Sequence, residues 1–183
     1  MNTTVIAIIV IAVLVIAGAA LMISRRKQGE RLKQQFGAEY DHQVQEEGGS
    51  RAKAESALLA REKRVKSLDI HPLPPEQRRA FAEDWQQVQA RFVDDPARSI
   101  ALADALVAEV MKARGYPVDD FEQRASDISV EHPQVVQNYR AAHEIALRQE
   151  RGQADTEDLR SALLGYRSLF EELLHADQPE LAH

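Results

Sequence analysis

At 183 residues, 44% apolar and 28% charged, the chain has the length and composition of one folded domain with accessories. It contains no cysteine, which excludes disulfides, thiolate metal sites and a cysteine nucleophile, and only 5% of it is aromatic, so any core is built mostly from Leu, Val, Ile and Ala. The net charge of −6 hides an asymmetry: residues 1–23 carry no charged side chain, residues 24–66 hold 11 Lys+Arg against 7 Asp+Glu, and residues 67–183 hold 12 against 22. An acidic distal part lacks the basic face that nonspecific nucleic-acid binding requires, so no nucleic-acid partner is expected.

The first element is an unbroken apolar run, Val5 to Ile23, 12 of whose residues are Val, Ile or Leu. As a helix rising ~1.5 Å per residue it spans roughly 28 Å, close to the thickness of a bilayer's hydrocarbon core. The rival reading is a cleaved secretory signal, for which Ala17-Gly18-Ala19 resembles a cleavage site. The opening Met-Asn-Thr-Thr lacks a basic segment and the run is longer than a signal's apolar region, so a retained transmembrane helix over 1–24 is the expectation. Arg25, Arg26 and Lys27 follow at once, and no side-chain cation precedes the run. The positive-inside rule then places the N-terminus outside and the rest at the inner face of the plasma membrane. The same three cations are candidates for contact with anionic lipid headgroups, in addition to serving as the topology signal.

Residues 25–70 form a basic, polar connector broken by Gly29, Gly37 and the Gly48-Gly49 pair. Arg51 to Leu68 is rich in Ala, Glu, Lys and Arg and is expected to be helical. Ala54, Leu58, Val65 and Leu68 lie near one stripe, but Arg61 interrupts it. Two heptads with a charged seam position fall short of a coiled coil. A solvated helical stalk is the plain expectation, and homodimerisation along that seam is the alternative. The tract His71-Pro72-Leu73-Pro74-Pro75 is a stiff boundary that also starts the next helix.

Helical periodicity fills residues 71–176, leaving 177–183 as an expected disordered tail. Phe81, Trp85, Val88 and Phe92 mark one face from Pro75 to about Val93, with Trp85 read as core rather than as a stacking platform. Ile100, Ala103, Leu106, Val107, Val110 and Met111 mark the next helix, Pro96 to about Arg114, capped by Asp94 or Asp95 and stopped by Gly115. A short helix from Asp120 to about Ile128 has Asp119 as its expected cap and Glu122 completing a capping box, with a break over Ser129 to His132. Val135, Val136, Tyr139, Ala142, His143, Ala146 and Leu147 line the buried side of a helix from Pro133 to about Arg151. Leu159, Leu163, Tyr166, Phe170 and Leu173 line the last, Glu157 to about Leu174, with Thr156 as cap. Gly165 costs that helix about 1 kcal/mol relative to Ala, for which close approach of a neighbour is one compensation. No segment alternates with period two, so the fold class is all-α: transmembrane helix, polar stalk and a four-to-five-helix antiparallel bundle.

Signals for chemistry are poor. There is no dinucleotide or P-loop glycine pattern, no HExxH, no GxSxG and no di-iron arrangement, so no catalytic residue and no cofactor is assigned. The densest cluster of titratable groups is Asp127, Glu131, His132, His143 and Glu144. Asp127, Glu131, His132 and His143 are the candidate metal ligands, His with carboxylates suiting Zn²⁺, although their spacing matches no ligand signature. The plain reading gives the acids to helix ends and His143 to a core edge. The pairs Asp94-Asp95 and Asp119-Asp120 precede helices, where capping explains them. Tyr116, Tyr139 and Tyr166 are expected to pack with polar tips outward.

The stretches Phe36-Gly37-Ala38-Glu39-Tyr40-Asp41, Leu68-Asp69-Ile70-His71-Pro72-Leu73, Trp85 to Pro96, Arg114-Gly115-Tyr116-Pro117, Phe121-Glu122, Glu131 to Val136, Tyr139 to His143 and Thr156 to Arg160 together carry a resemblance. The chain resembles an uncharacterised family of actinobacterial- and acidobacterial-type single-span membrane proteins with no assigned activity. The resemblance covers nearly everything after residue 24 and implies membrane placement and architecture without supplying a site residue. It draws notice to Phe36–Asp41, whose two aromatics suit either the headgroup layer or docking on the bundle.

These observations converge on a non-enzymatic interaction or scaffolding module held to the bilayer and binding a protein partner. The alternatives are a metal-dependent enzyme or regulator built on the Asp127/Glu131/His132/His143 region, and an exported or envelope-facing structural protein.

Overall fold

The computed structural model describes residues 3–175, with side chains from residue 11 onward. Among these residues the chain forms eight helices and no strand: α1 Thr3–Phe36, α2 Ala38–Glu46, α3 Arg51–Val65, α4 Pro75–Arg91, α5 Pro96–Ala113, α6 Phe121–Glu131, α7 Pro133–Glu150 and α8 Thr156–His175.

Stretches of expected all-α bundle are α4 to α8. Their apolar faces meet in one core that includes Trp85, Ile100, Val107, Val110, Met111, Ile128, Val136, Tyr139, Tyr166 and Phe170. The aromatic Trp85 stacks on Phe170 with ring centroids 4.6 Å apart, so it is core as its stripe implied. The helix α8 packs against both α7 and α5, and α4 lies on α5. Gly165 sits where α7 and α8 touch: a Cβ there would stand 2.5 Å from Asn138 O and 3.0 Å from the Ala142 Cβ.

Caps differ from expectation by one residue at two places. Asp120, not Asp119, accepts from the Gln123 backbone N–H at 2.9 Å. The start of α8 is closed by Asp155 and Asp158, each accepting the other's backbone N–H, at 2.8 and 3.2 Å. Glu122 makes no capping box, because Arg140 takes it. The break after α6 is confined to His132, since α6 runs on through Glu131. Asp95 caps α5 through Arg98 N at 3.1 Å. Gly115 ends that helix at φ +97°, a conformation a Cβ opposes, and a Cβ there would also lie 2.1 Å from Asp69 O. The proline tract is thus strapped across the end of α5, with His71 N donating to Arg114 O and Leu73 buried.

The connector corrects the picture of a solvated stalk. The end of α1, α2 and α3 form a three-helix unit around a second apolar cluster of Leu32, Phe36, Tyr40 and Leu58. In this unit α3 packs on α6, α2 on α7, and α1 on both. Of the expected seam, Ala54, Leu58 and Val65 are buried within this chain and Leu68 is half-buried. The reason is geometric: Gly37 and the Gly48-Gly49 turn fold the connector back on itself, so its sparse apolar residues meet one another. The segment Phe36–Asp41 docks inward, with Phe36 0% and Tyr40 5% exposed.

Residues 5–10 of the expected span lie outside the residues whose side chains are described. The remainder, Ile11–Ile23, is 13 residues, or about 20 Å of helix against a hydrocarbon core of ~30 Å. Among the described residues no helix is long and apolar enough to cross a membrane, so the expected transmembrane helix is not a feature of the described fold. What the fold does give is an unbroken α1 whose Ile11, Leu14, Ile16 and Leu21 stand exposed. The expected tail, 177–183, lies outside the described residues.

Candidate functional site

Polar chemistry gathers in two places, a seam between the three-helix unit and the bundle, and a cluster inside the bundle.

The seam is built on three carboxylates that the fold removes from water. Glu39, 0% exposed, accepts from Arg61 Nη1 of α3 at 2.8 Å, from Arg140 Nη2 of α7 at 3.2 Å and from Gln137 Nε2 at 2.7 Å. Asp127 of α6, also 0% exposed, accepts from Arg64 Nε and Nη2 at 2.9 and 3.1 Å and from Gln123 at 2.9 Å. Glu62 accepts both Arg31 guanidinium nitrogens at 3.0 Å, closing α1 onto α3. Arg61 also donates to Ser129 Oγ, and Arg140 to Glu122. Such charge-assisted, multiply bonded pairs are directional, and each spans two helices. Burying them costs several kcal/mol per ion in desolvation, which close geometry offsets, so their main effect is to select one docking arrangement. Each of these carboxylates is engaged by at least one guanidinium, a cation that opposes the approach of a metal ion.

That engagement bears on the expected metal ligands. Asp127 is held by Arg64, while Glu131 accepts the Tyr116 hydroxyl. The His132 ring faces Glu172 at 3.1 Å, and His143 stacks flat on Phe121 with centroids 3.5 Å apart. The structure gives each a separate partner, and among the described residues no three His, Asp or Glu side chains gather as a metal site. Glu144 is exposed on the outer face of α7. The headgroup candidates Arg25, Arg26 and Lys27 are exposed on α1 directly after the apolar run.

The interior cluster was not legible as a unit. It joins Asp104 of α5, Arg124 of α6, Tyr139 and His143 of α7, and Tyr166 of α8. Tyr139 and Tyr166 are 0% exposed and meet edge to face at 5.9 Å, so their polar tips point inward, against expectation. The Tyr139 hydroxyl, Arg124 Nε and His143 Nδ1 are buried without a hydrogen-bond partner in the protein, while the Tyr166 hydroxyl and the Asp104 carboxylate interact with each other. A buried polar group left unmet costs about 1–3 kcal/mol, so groups of this kind call for bridging water. Burial pushes both phenols far above their ordinary range, with Asp104 acting in the same direction and Arg124 against it. Burial lowers the His143 imidazole, outweighing the opposite pull of Asp104, Glu122 and Glu144, while Arg124 adds to the lowering. The guanidinium of Arg124 lies 5.7 Å from the Phe121 ring centroid, a cation–π contact. The sequence signal was present in Tyr139 and His143 at i, i+4 on α7, but Asp104 and Tyr166 come from other helices.

Compared with known proteins, the chain matches no family model, no curated protein and no solved structure.

Proposed function

We propose that this protein is a membrane-tethered helical adaptor: residues 1–24 anchor it, and the acidic bundle recruits a protein partner at the inner face of the plasma membrane. The observation that carries this reading is the continuity of α1, a single helix from Thr3 to Phe36 whose residues 11–23 stand exposed and whose last turns are fastened into the fold. A helix unbroken across that junction transmits position, so the bundle has a set attitude relative to whatever the apolar half enters. Arg25, Arg26 and Lys27 fall where headgroups would begin, at about 1 kcal/mol each toward an anionic surface. The net acidity of residues 67–183 turns the bundle away from that same surface and toward cytosolic partners.

Orientation is tested first, because it limits every partner. A cysteine-free chain carrying Ser161→Cys, an exposed position on α8, is treated in intact cells with a membrane-impermeant maleimide. The expected result is membrane fractionation with labelling only after lysis and, in a parallel sample treated with a membrane-permeant bifunctional lysine cross-linker, a discrete species joining the chain to a cytosolic protein. Labelling in intact cells overturns the orientation and favours an exported module. A chain that fractionates as free protein overturns the tether, and one that cross-links to nothing overturns recruitment.

A further inference from the structure

An open groove of about 340 Å³ lies between α4 and α5. Its floor is Val88 and Leu106, both buried, and its wall carries Leu102, 37% exposed. Its charges are sorted by end. The short turn over 92–95 brings Arg91 of α4 and Arg98 of α5 to one end and leaves Asp84 and Glu109 toward the other. Along the helices that separation is roughly 10 Å on α4 and 16 Å on α5, at ~1.5 Å rise per residue. The two signs are thus too far apart to satisfy each other, and none of the four side chains has a hydrogen bond or ion pair among the described residues. Arg61, Arg64 and Arg140, by contrast, are each spent on a carboxylate. Asp94 and Asp95 of the turn do not line the groove, and Asp95 is occupied by the Arg98 backbone N–H at 3.1 Å.

We propose that the α4–α5 groove receives the C-terminal tail of the recruited protein partner, with the terminal carboxylate between Arg91 and Arg98, apolar side chains over Val88, Leu102 and Leu106, and a basic side chain a few residues upstream at Asp84 and Glu109. The inference rests on the recruitment reading above and names the feature of the partner that is recognised. Each part follows from the lining. A guanidinium pair matches a carboxylate in charge and in its forked donor geometry, and neither Arg91 nor Arg98 has another side-chain partner to give up. Four extended residues cover about 13–14 Å, which matches the span between the charged ends. The groove stops at the turn, so a chain that ends inside it has no need to climb over 92–95. The net acidity of residues 67–183 draws a basic tail toward the bundle before contact. Recognition of this kind combines capture of a terminal carboxylate with an apolar surface for the side chains that precede it.

The test is calorimetric titration of the full chain in nonionic detergent with the peptide acetyl-Lys-Ala-Leu-Leu bearing a free carboxylate. The comparison ligands are the same peptide as its C-terminal amide, and acetyl-Glu-Ala-Leu-Leu with a free carboxylate. The expected result is one saturable site per chain for the first peptide, with the amide weaker by roughly tenfold, the loss expected when charged hydrogen bonds are removed. The glutamate peptide is expected to be weaker by roughly threefold, as for an exposed ion pair. Arg91→Gln with Arg98→Gln, both at exposed positions, makes acid and amide bind alike. Asp84→Asn with Glu109→Gln, also exposed, erases the preference for lysine. Equal binding to the native chain of acid and amide, or of the lysine and glutamate peptides, overturns the proposal. Binding unchanged in the Arg91 and Arg98 variant overturns it as well, and so does the absence of saturable binding. The titrations do not depend on membrane orientation, so a chain that still cross-links to a cytosolic protein but binds none of the peptides loses this site and keeps the recruitment reading.

Discussion

Gly165 and Gly115 show how a single missing Cβ decides local structure. The gain from replacing a mid-helix glycine with alanine is about 1 kcal/mol in an open helix. At Gly165 the new methyl would stand 2.5 Å from a backbone carbonyl of α7, which has no free end to swing away. Overpacking of that kind costs typically ~1–3 kcal/mol, so Gly165→Ala is expected to lower the melting temperature despite its helix propensity. A raised melting temperature would show that α7 and α8 are not held at this distance. Tyr139 and Tyr166 supply a second residue-scale expectation. Burial raises both folded-state pKa values above the unfolded value of about 10, so their contribution is complete below pH ~10 and is lost as pH rises beyond it. Alkaline titration followed by phenolate absorbance and circular dichroism should show these two phenols ionising together with unfolding. Ionisation of all four tyrosines with the helices intact would contradict their burial.

At the scale of elements, the informative unit is α2, nine residues that hold their place chiefly through one carboxylate. Isolated helices this short are marginal in water, and α2 owes its stability to Phe36, Tyr40 and the Glu39 pairs. Removing one partner from a buried ion pair costs ~3–5 kcal/mol, because the remaining charge stays buried and unmet. Glu39→Ala leaves Arg61 with only the neutral acceptors Gln43 and Ser129, while Arg140 keeps Glu122. Hydrogen exchange should therefore accelerate in α2 and α3 while α5, α7 and α8 keep their protection. Uniform acceleration across all helices would mean that the two units open as one. The α4–α8 bundle was legible because each helix carries a full apolar stripe. The connector was not, because α2 and the end of α1 bury few apolar residues, and arginine–glutamate pairs look the same in sequence whether solvated or sealed.

At the scale of the whole molecule, charge and apolarity are laid out along one direction. Uncharged residues 1–23 come first, then a basic three-helix unit, then an acidic bundle. Arg61–Glu39–Arg140 and Arg64–Asp127 join the last two into a continuous body, and Arg31–Glu62 closes the three-helix unit on itself. A bundle fastened in this way moves with α1, whereas one on a solvated stalk would rotate freely. The labelling experiment on Ser161→Cys therefore reports the location of a unit that includes α2 and α3 as well as the bundle.

Periodicity determined the all-α class, the stripes and order of α4 to α8, and the helix stop at Gly115, since these depend on residues close in sequence. It also placed Trp85 in the core. Tertiary structure alone decided that the connector folds back, that Asp127 and His143 serve different partners, and that Asp104, Tyr139, His143 and Tyr166 share one interior. The physical reason is range: caps and apolar faces are set within one or two turns of helix, whereas ion pairs such as Glu39–Arg140 and buried polar clusters exist only once distant helices have packed.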